Sequence, residues 1–302
     1  MLPGMTLPLG VECAGEVIEV SPDVDTLNLG DRVFGYTPGA FAEQVVAPAA
    51  LLMRTPDQIT DDDAAGITIA FGTALYGLDR LAGIKRGERI LIHAGAGGVG
   101  LAAIQIALAR GAEVFTTAGS EKKRDMLRNM GVEHVFDSRT LDFESQIRNI
   151  TNGAGVEVVL NSLSGDFISA SARILSKNGR FLELGKRELL SPEEFAAIRP
   201  SATYHVFDLG NEIEATPDLL RNLLEEVLRD IEKGALSPLP NHNFGLDQAA
   251  NAMRFMASAK HIGKIVLRIP PHANANIRED ATYWITGGVG GIGLYTAHWL
   301  AR

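Results

Sequence analysis

A glycine-rich loop between two apolar segments constrains the fold of this chain more than any other feature. The strand pattern Arg89–His93 runs into Ala-Gly-Ala-Gly-Gly-Val-Gly at residues 94–100, and a helix pattern follows over Val99–Arg110. Residues 90–109 carry no formal charge and are long enough for a membrane span, but four glycines interrupt them. The segment therefore predicts a strand, a tight turn and a buried helix, and no membrane span.

Strand and helix patterns alternate through the middle of the chain. The predicted strands are Arg89–His93, Glu113–Thr117, Val132–Phe136, Val156–Leu160 and Arg180–Leu184. The predicted helices are Val99–Arg110, Glu121–Met130, Phe143–Thr151, Phe167–Leu175 and Asp218–Lys233. Such alternation predicts an α/β fold, a doubly wound parallel Rossmann sheet with helices on both faces.

The first sixty residues have a different sequence pattern. Short β-rich runs at 11–20, 32–34 and 42–47 are separated by turns containing Pro, Gly and Asp, which is typical of a small antiparallel β domain. From Thr60 to about Leu81 the pattern is helical, and Thr60 with Asp63 resembles a capping box.

Length, charge and cysteine usage narrow the class of protein. A chain of 302 residues suggests two domains. The net charge of −9 argues against a nucleic-acid partner. The single cysteine, Cys13, excludes an internal disulfide and a multi-cysteine zinc site, and it favours a reducing compartment such as the cytoplasm.

The glycine loop has the context of a dinucleotide site. Glycines between a strand and a helix let the backbone approach a pyrophosphate, whose charge the helix N-terminus stabilises. We therefore expect Gly97, Gly98 and Val99 to contact a nicotinamide cofactor, the alternative being a purely structural turn.

The second strand indicates which cofactor is bound. An NAD site would place an acidic residue at the end of this strand to bind the ribose hydroxyls. Here a hydroxyl and two cations follow instead, on Ser120, Lys123 and Arg124. These groups suit a 2′-phosphate, so we predict NADPH rather than NADH. The alternative is that the cations are simply the solvated face of a helix.

Several motifs carry a family resemblance. They are Leu91-x-His93-x-x-x-Gly97-Gly98-Val99-Gly100-x-x-Ala103-x-x-x-Ala107, Gly-Val-Glu-Val-Val-Leu-Asn161-Ser-Leu-Ser-Gly165, Gly179-Arg-Phe-Leu-Glu-Leu-Gly-Lys186 and His261-Ile-Gly-Lys264-Ile-Val. Together they resemble the enoyl reductases of multifunctional type I polyketide and fatty acid synthases. These enzymes belong to the medium-chain dehydrogenase/reductase superfamily, close to the quinone oxidoreductases. The resemblance covers about Leu7 to Leu267.

The resemblance implies a domain plan. A GroES-like β substrate domain would span residues 1–75, completed by 236–269, with the NADPH-binding Rossmann domain at 76–235. The chain begins almost at the Pro-Leu-Gly-Val-Glu motif of residues 8–12, so we expect an N-terminally truncated substrate domain. Zinc-dependent relatives carry Gly-His-Glu where this chain has Gly10-Val11-Glu12, and we therefore expect no metal.

The C-terminal end resembles the start of a second enzyme. After a linker at 270–281, residues 282–302 contain Thr286-Gly-Gly-Val-Gly-Gly-Ile-Gly293, a second dinucleotide loop. Its spacing is similar to that of short-chain reductases, and a ketoreductase often follows the enoyl reductase in these synthases. The segment stops after one helix, so we expect a truncated ketoreductase start.

The resemblance also implies an activity, the NADPH-dependent reduction of an enoyl thioester on the phosphopantetheine of an acyl carrier protein. Lys186 follows a predicted strand whose carboxyl end faces the cofactor crevice, where an ammonium would stabilise an enolate. Asp208, placed near the start of the next strand-like run, matches the second proton-relay candidate of the family. Both are predicted catalytic residues, although each is also a residue type that commonly faces solvent.

Other site residues rest on strand-end position or on the resemblance. Asn161 and Gly185, at the ends of two strands, can line the nicotinamide. Thr73, Gly263 and Lys264 are cofactor contacts by resemblance only. His93 is interpreted as part of the turn rather than as an acid–base group.

Two alternative functions stay open. The chain could be a free-standing quinone or enone oxidoreductase of the same superfamily, or an inactive NADPH-binding fragment. The synthase interpretation implies neighbouring synthase domains as partners, with a homodimer left open.

Overall fold

The computed structural model describes residues 9–216 and 218–270, and the compact unit ends at Arg268. Near the amino terminus, β1 (Glu12–Glu16), β2 (Arg32–Tyr36) and β3 (Leu52–Arg54) form an antiparallel sheet in the order β1-β2-β3. The small antiparallel β region is therefore confirmed.

One predicted strand of this region is wrong. Residues 42–47 form bends and irregular backbone, and the third strand comes later, at β3. The apolar pair Val45–Val46 explains the error, since it resembles a buried strand in the sequence. In the structure Val46 is 99% exposed, so no apolar packing holds this run in a sheet.

A six-stranded sheet forms the centre of the molecule. Its strands are β4 (Arg89–Ile92), β5 (Glu113–Ala118), β6 (His134–Asp137), β7 (Val156–Asn161), β8 (Leu175–Glu183) and β9 (Thr203–Val206). Every neighbouring pair is parallel, in the order β6-β5-β4-β7-β8-β9. The strand order reverses between β4 and β7, and ligands of such sheets bind in the crevice outside the carboxyl ends of the strands there.

The fifth strand of this sheet differs from its predicted bounds. It begins at Leu175 rather than Arg180, because an irregularity in the pairing lets Val156 face Leu175 while Val158 faces Arg180. It ends at Glu183, one residue before the predicted end.

Helices cover both faces of the sheet. The helices of the described residues, not all of which pack on this sheet, are α1 (Asp61–Ala64), α2 (Thr68–Leu75), α3 (Gly98–Ala109), α4 (Glu121–Asn129), α5 (Phe143–Ile150), α6 (Asp166–Arg173), α7 (Pro192–Ile198), α8 (Leu209–Ala215), α9 (Asp218–Glu232) and α10 (Ala249–Ala257). A π-helical turn, Tyr76–Leu81, follows α2. The predicted α/β fold with two covered faces is confirmed.

Alternate residues of the central strands face two separate apolar cores. Ile90 and Ile92 of β4 pack in one core, whereas Leu91 packs in the other. This two-residue period follows from the pleat, and both faces are apolar because both are covered.

Helix α9 shows how the sequence pattern produces packing. The stripe predicted over Asp218–Lys233 buries Leu220, Leu223, Leu224 and Val227 completely. Each such side chain stabilises the fold by about 1.5–3 kcal/mol relative to an exposed position. The amphipathic helix is confirmed.

The last described segment returns to the glycine loop. β10 (Asn241–Gly245) and β11 (Lys264–Arg268) form a parallel pair, and Gly263 makes an isolated bridge to Gly97. The linker predicted at 270–281 falls outside the described residues except for Pro270, and the ketoreductase-like segment at 282–302 lies wholly outside them. Among residues 9–216 and 218–270, no helix is long and apolar enough to cross a membrane.

Candidate active site

The loop between β4 and α3 leads into a helix N-terminus that has no side-chain cap. Gly97 is the N-cap of α3, and no side chain bonds the first turn of this twelve-residue helix. A β-carbon on Gly100 would lie 2.5 Å from the carbonyl oxygen of Ala94, so the helix approaches the turn at a distance that only glycine permits. Backbone N–H groups without a capping side chain fit a pyrophosphate, and Gly98 and Val99 supply them here, whereas Gly97 N donates to the carbonyl oxygen of Ala94 at 2.9 Å.

His93 lies buried directly below the loop. The Ser171 hydroxyl donates to the carbonyl oxygen of Phe167 at 2.7 Å, so it accepts from His93 Nε2–H, also at 2.7 Å. His93 Nδ1 then accepts from the hydroxyl of Thr117 at 3.0 Å. Burial lowers the pKa of His93 to about 3. A neutral, fully bonded ring fits the interpretation of His93 as part of the turn.

The predicted phosphate residues lie at the amino terminus of α4. Ser120 is the N-cap of this helix and makes no capping hydrogen bond through its side chain. Lys123 Nζ donates to the carbonyl oxygen of Ala259 at 2.8 Å. Arg124 pairs with Glu121 at 2.6 Å and Asp137 at 3.1 Å, and its guanidinium is therefore already neutralised. Ser120 and Lys123 keep more binding capacity for a phosphate than Arg124 does.

Sequence reasoning missed two residues beside this cluster. A β-carbon on Gly119 would lie 3.3 Å from Ser138 Oγ and 3.5 Å from Arg139 Nε. Both residues follow β6, the strand next to β5 in the sheet. The signal was available in principle, because the carboxyl ends of neighbouring parallel strands meet at one edge.

Lys186 and Asp208 form an ion pair between Nζ and Oδ2. β8 ends three residues before Lys186, and the adjacent β9 ends two residues before Asp208, so both side chains lie beyond the carboxyl ends of neighbouring strands. The Lys186 side chain is 77% exposed and accessible to a substrate. The structure therefore brings the two predicted catalytic residues, Lys186 and Asp208, into direct contact.

The predicted setting of Asp208 is wrong. Asp208 does not begin a strand, since β9 precedes it, and it is the N-cap of α8, accepting from Gly210 N at 2.8 Å. The extended pattern of residues 203–206 belongs to the strand, and an aspartate after it is a favoured helix cap. The hydrogen bond from Lys186 holds the pKa of Asp208 below its ordinary value, and the bond from Gly210 acts in the same direction.

Tyr36 of β2 also lies near this pair, and sequence reasoning missed it. A β-carbon on Gly210 would lie 3.1 Å from Asp208 Oδ1 and 3.5 Å from the Tyr36 hydroxyl oxygen. The small sheet therefore contributes a phenol near the Lys186–Asp208 pair.

Asn161 and Gly185 lie at the ends of β7 and β8, as predicted, but Asn161 has no exposed surface. Its side-chain nitrogen donates to Leu163 O at 2.8 Å and to the Glu183 carboxylate at 2.7 Å, which uses both of its hydrogens. In this structure Asn161 therefore holds the end of β7 to Leu163 and Glu183, and it does not present its amide nitrogen to a cofactor. Glu183, fully buried, was missed.

Gly263 and Lys264 lie against the glycine loop. Gly263 N donates to the carbonyl oxygen of Ala96 at 2.9 Å, and a β-carbon on Gly98 would lie 3.0 Å from Lys264 Cδ. The Lys264 ammonium pairs with Glu12, whose other oxygen accepts from Ile69 N at 3.0 Å. Glu12 was not predicted, and it joins β1 to this loop.

Thr73 is a largely buried member of the predicted cofactor contacts. It lies in α2 and is only 6% exposed. Its predicted role as a cofactor contact rests on the resemblance alone.

The fold and this site define a class of protein. Residues 1–57 match the family described as the alcohol dehydrogenase GroES-like domain, and residues 130–267 match the family described as zinc-binding dehydrogenase. A GroES-like β region joined to a Rossmann sheet with an uncapped glycine loop is the plan of the medium-chain dehydrogenase/reductase oxidoreductases.

Individual relatives narrow this class. The mycocerosic acid synthase-like polyketide synthase of Mycobacterium tuberculosis is 42% identical over 100% of this chain and 15% of its own length. The crystal structure of CurK enoyl reductase superposes with a TM-score of 0.84 and 41% identity, covering 87% of this chain and 80% of that one. The structure of mycobacterial Rv1454c complexed with NADPH superposes with a TM-score of 0.81 and 28% identity, covering 88% of this chain and 84% of that one. The chain belongs to the enoyl reductases of polyketide synthases, and it spans about one seventh of the curated synthases that it matches.

One of the matching families is described as zinc-binding, but the described residues of this chain do not form a zinc site. Val11 stands where zinc-dependent relatives have a histidine. Within the ranges 9–216 and 218–270, no three His, Cys, Asp or Glu side chains cluster in a way that could hold a metal ion. The absence of zinc stays a prediction.

Proposed function

We propose that this domain reduces an α,β-unsaturated thioester, bound to an acyl carrier protein, with NADPH as the hydride donor. The observation that carries the proposal is the Lys186–Asp208 ion pair, which lies beyond the ends of β8 and β9. These strands continue from β7, which flanks the point where the strand order reverses, so the pair lies on the ligand-binding edge of the sheet.

The cofactor part of the proposal rests on three groups of residues. Gly97, Gly98 and Val99 would bind the pyrophosphate at the N-terminus of α3. Ser120 and Lys123, with Arg139 from the neighbouring loop and a smaller share from Arg124, would bind the 2′-phosphate. Gly185, Gly263, Lys264 and Thr73 would line the rest of the site, and the buried Asn161 would hold the end of β7 beside it. The NADPH complex of Rv1454c supports this choice of nucleotide.

NADPH, when bound, would supply a hydride for the β-carbon of the enoyl group, and the residues of this chain would act on the α-carbon and the thioester oxygen. Negative charge develops on the thioester oxygen as the β-carbon is reduced. The exposed ammonium of Lys186 can stabilise that charge more strongly in the transition state than in the neutral thioester. Asp208 orients the ammonium, and together they hold a proton for the α-carbon.

The relatives support a proposal about the partners of this domain. Since curated synthases contain this segment within much longer chains, we propose that an acyl carrier protein and neighbouring synthase domains, a ketoreductase among them, act with it. A cytoplasmic location belongs to the same proposal, and a homodimer stays open.

A comparison of thioester and quinone turnover tests this function. Crotonyl-pantetheine and a simple benzoquinone should be offered to the protein with NADPH, and cofactor oxidation followed. Reduction of the thioester with little quinone turnover is the expected result. Preferential quinone turnover would favour the free-standing oxidoreductase, and NADPH binding without turnover of either would favour an inactive fragment.

A further inference from the structure

Glu183 is a buried carboxylate without a cation. It is the last residue of β8 and has no exposed surface. In the described part of the chain no lysine, arginine or histidine pairs with it. Burial raises the pKa of Glu183, while its hydrogen bonds oppose that shift. A carboxylate in such a place is costly unless its hydrogen bonds serve the fold or the site.

The two oxygens of this carboxylate join two strand ends. Oε2 accepts from Asn161 Nδ2 at 2.7 Å, and Oε1 accepts from Gly185 N at 2.6 Å. Asn161 is fixed in turn by Leu163, whose nitrogen donates to Asn161 Oδ1 at 3.2 Å. The carboxylate therefore ties the turn after β8 to the end of β7.

Glu183 also bonds the residue that precedes each member of the ion pair. Its side chain holds Gly185, the residue before Lys186. Its backbone carbonyl accepts from Phe207 N, the residue before Asp208, at 3.2 Å. A β-carbon on Gly185 would lie 2.6 Å from Glu183 Oε1, so the turn is packed directly on the carboxylate.

We propose that Glu183 is the positioning residue of the Lys186–Asp208 pair. Its carboxylate fixes the flexible Gly185 turn, so that the long and exposed side chain of Lys186 meets Asp208. The catalytic consequence rests on the proposed function, whereas the positioning itself does not. A Glu183→Gln substitution keeps the shape but places an NH₂ group opposite either Gly185 N or Asn161 Nδ2, so one of the two hydrogen bonds is lost.

Carboxyl titration by ¹³C NMR tests the positioning without any activity measurement. The Asp208 signal, assigned with Asp208→Asn, should titrate at a higher pH in Lys186→Ala than in the wild type. We expect Glu183→Gln to move the midpoint in the same direction. Gly185→Ala shifts the turn without removing the carboxylate, and it should also raise the Asp208 midpoint. This variant replaces Glu183→Gln in the test if Glu183→Gln fails to fold.

Glu157→Gln is the matched control. Glu157 also accepts a backbone N–H, from Arg89 at 2.8 Å, and a side-chain donor, but it lies near the amino end of β7. It should leave the Asp208 midpoint unchanged. A wild-type midpoint in both Glu183→Gln and Gly185→Ala would overturn the proposal.

A double-mutant cycle gives the catalytic readout. Glu183→Gln should lower kcat for crotonyl-pantetheine roughly tenfold while changing the NADPH Kd less than about threefold. If Glu183 acts through Lys186, then Glu183→Gln added to Lys186→Ala should cost no further activity. Additive losses would contradict a positioning role. If the wild-type protein does not reduce the thioester, the proposed function is wrong. The NMR titration then tests the positioning role of Glu183 by itself.

Discussion

The ammonium of Lys123 donates a hydrogen bond to the main-chain carbonyl of Ala259, 2.8 Å away. This bond links the first turn of α4 to the loop that follows α10. A phosphate is a stronger acceptor for an ammonium than a neutral carbonyl, because the bond to it is charge-assisted at both ends. We therefore expect Lys123 to exchange Ala259 for the 2′-phosphate when NADPH binds.

The first prediction concerns nucleotide choice. NADPH should bind more tightly than NADH by roughly ten- to a hundredfold, the loss expected for charge-assisted phosphate contacts. Lys123→Ala and Arg139→Ala should each weaken NADPH binding and leave NADH binding nearly unchanged, as measured by fluorescence titration. Arg124→Ala should have the smaller effect, since Glu121 and Asp137 already occupy its guanidinium.

Lys122→Ala is the control for this series, because Lys122 is an exposed neighbour on the same helix. Equal affinities for the two nucleotides in the wild type would remove the phosphate assignment.

The second prediction links His93 to acid stability. The pKa of His93 is about 3 in the folded protein and near 6.5 in an unfolded chain. Between these values the unfolded state takes up a proton that the folded state does not. Stability is therefore full above about pH 6.5 and falls as the pH is lowered toward 3, by at most about 1.4 kcal/mol per pH unit from this residue.

Urea unfolding at pH 7, 6 and 5 measures this effect. His93→Gln should show a shallower loss of stability with falling pH than the wild type. Thr117→Val removes a hydrogen-bond donor to the ring without removing the titrating group, so it should lower stability and keep the slope. Identical slopes in the wild type and His93→Gln would contradict the buried neutral histidine.

The third prediction concerns metal content. With Val11 in place of a ligand histidine and Cys13 the single cysteine, purified protein should contain no stoichiometric zinc. Elemental analysis after dialysis against a chelator provides the measurement. One zinc per chain that survives this treatment would show that the prediction is wrong.

Much of the fold could be predicted from local patterns. The glycine loop between β4 and α3, the parallel alternation and the stripe of α9 are each set by residues close in sequence, where the spacing of apolar side chains determines burial. The error at residues 42–47 arose because an exposed apolar pair has the same pattern as a strand. The early start of β8 depends on a pairing irregularity with β7, which no local pattern reveals.

The site was predictable in its members but not in its contacts. Lys186 and Asp208 were identified separately, whereas their ion pair depends on the adjacency of β8 and β9. Glu12 was missed for the same reason, because Ile69 and Lys264 lie far away along the chain, and so was the bond of Glu183 to Asn161. A glutamate in an apolar strand such as Phe181-Leu-Glu183-Leu was the available signal, since a buried carboxylate requires specific hydrogen-bond partners.

The fourth prediction concerns the reaction itself. Lys186→Ala should lower kcat for crotonyl-pantetheine by roughly 10²–10³-fold, the loss expected for one preorganised electrostatic partner, while the NADPH Kd stays nearly constant. Asp208→Asn should give a smaller loss, because it leaves the ammonium present but poorly oriented. Water can replace the lysine as proton source, so a smaller loss in Lys186→Ala with altered stereochemistry at the α-carbon also fits. Wild-type rate and stereochemistry in both variants would remove the pair from the mechanism.

Isotope transfer during crotonyl-pantetheine reduction tests the central claim most directly. The wild type should be supplied with NADPH deuterated at the transferred position, in H₂O, and the butyryl product examined by NMR and mass spectrometry. We predict one deuterium at the β-carbon and, in a parallel reaction with unlabelled NADPH in D₂O, one deuterium at the α-carbon. Oxidation of NADPH without deuterium at the β-carbon would contradict the assignment of this domain as an enoyl thioester reductase.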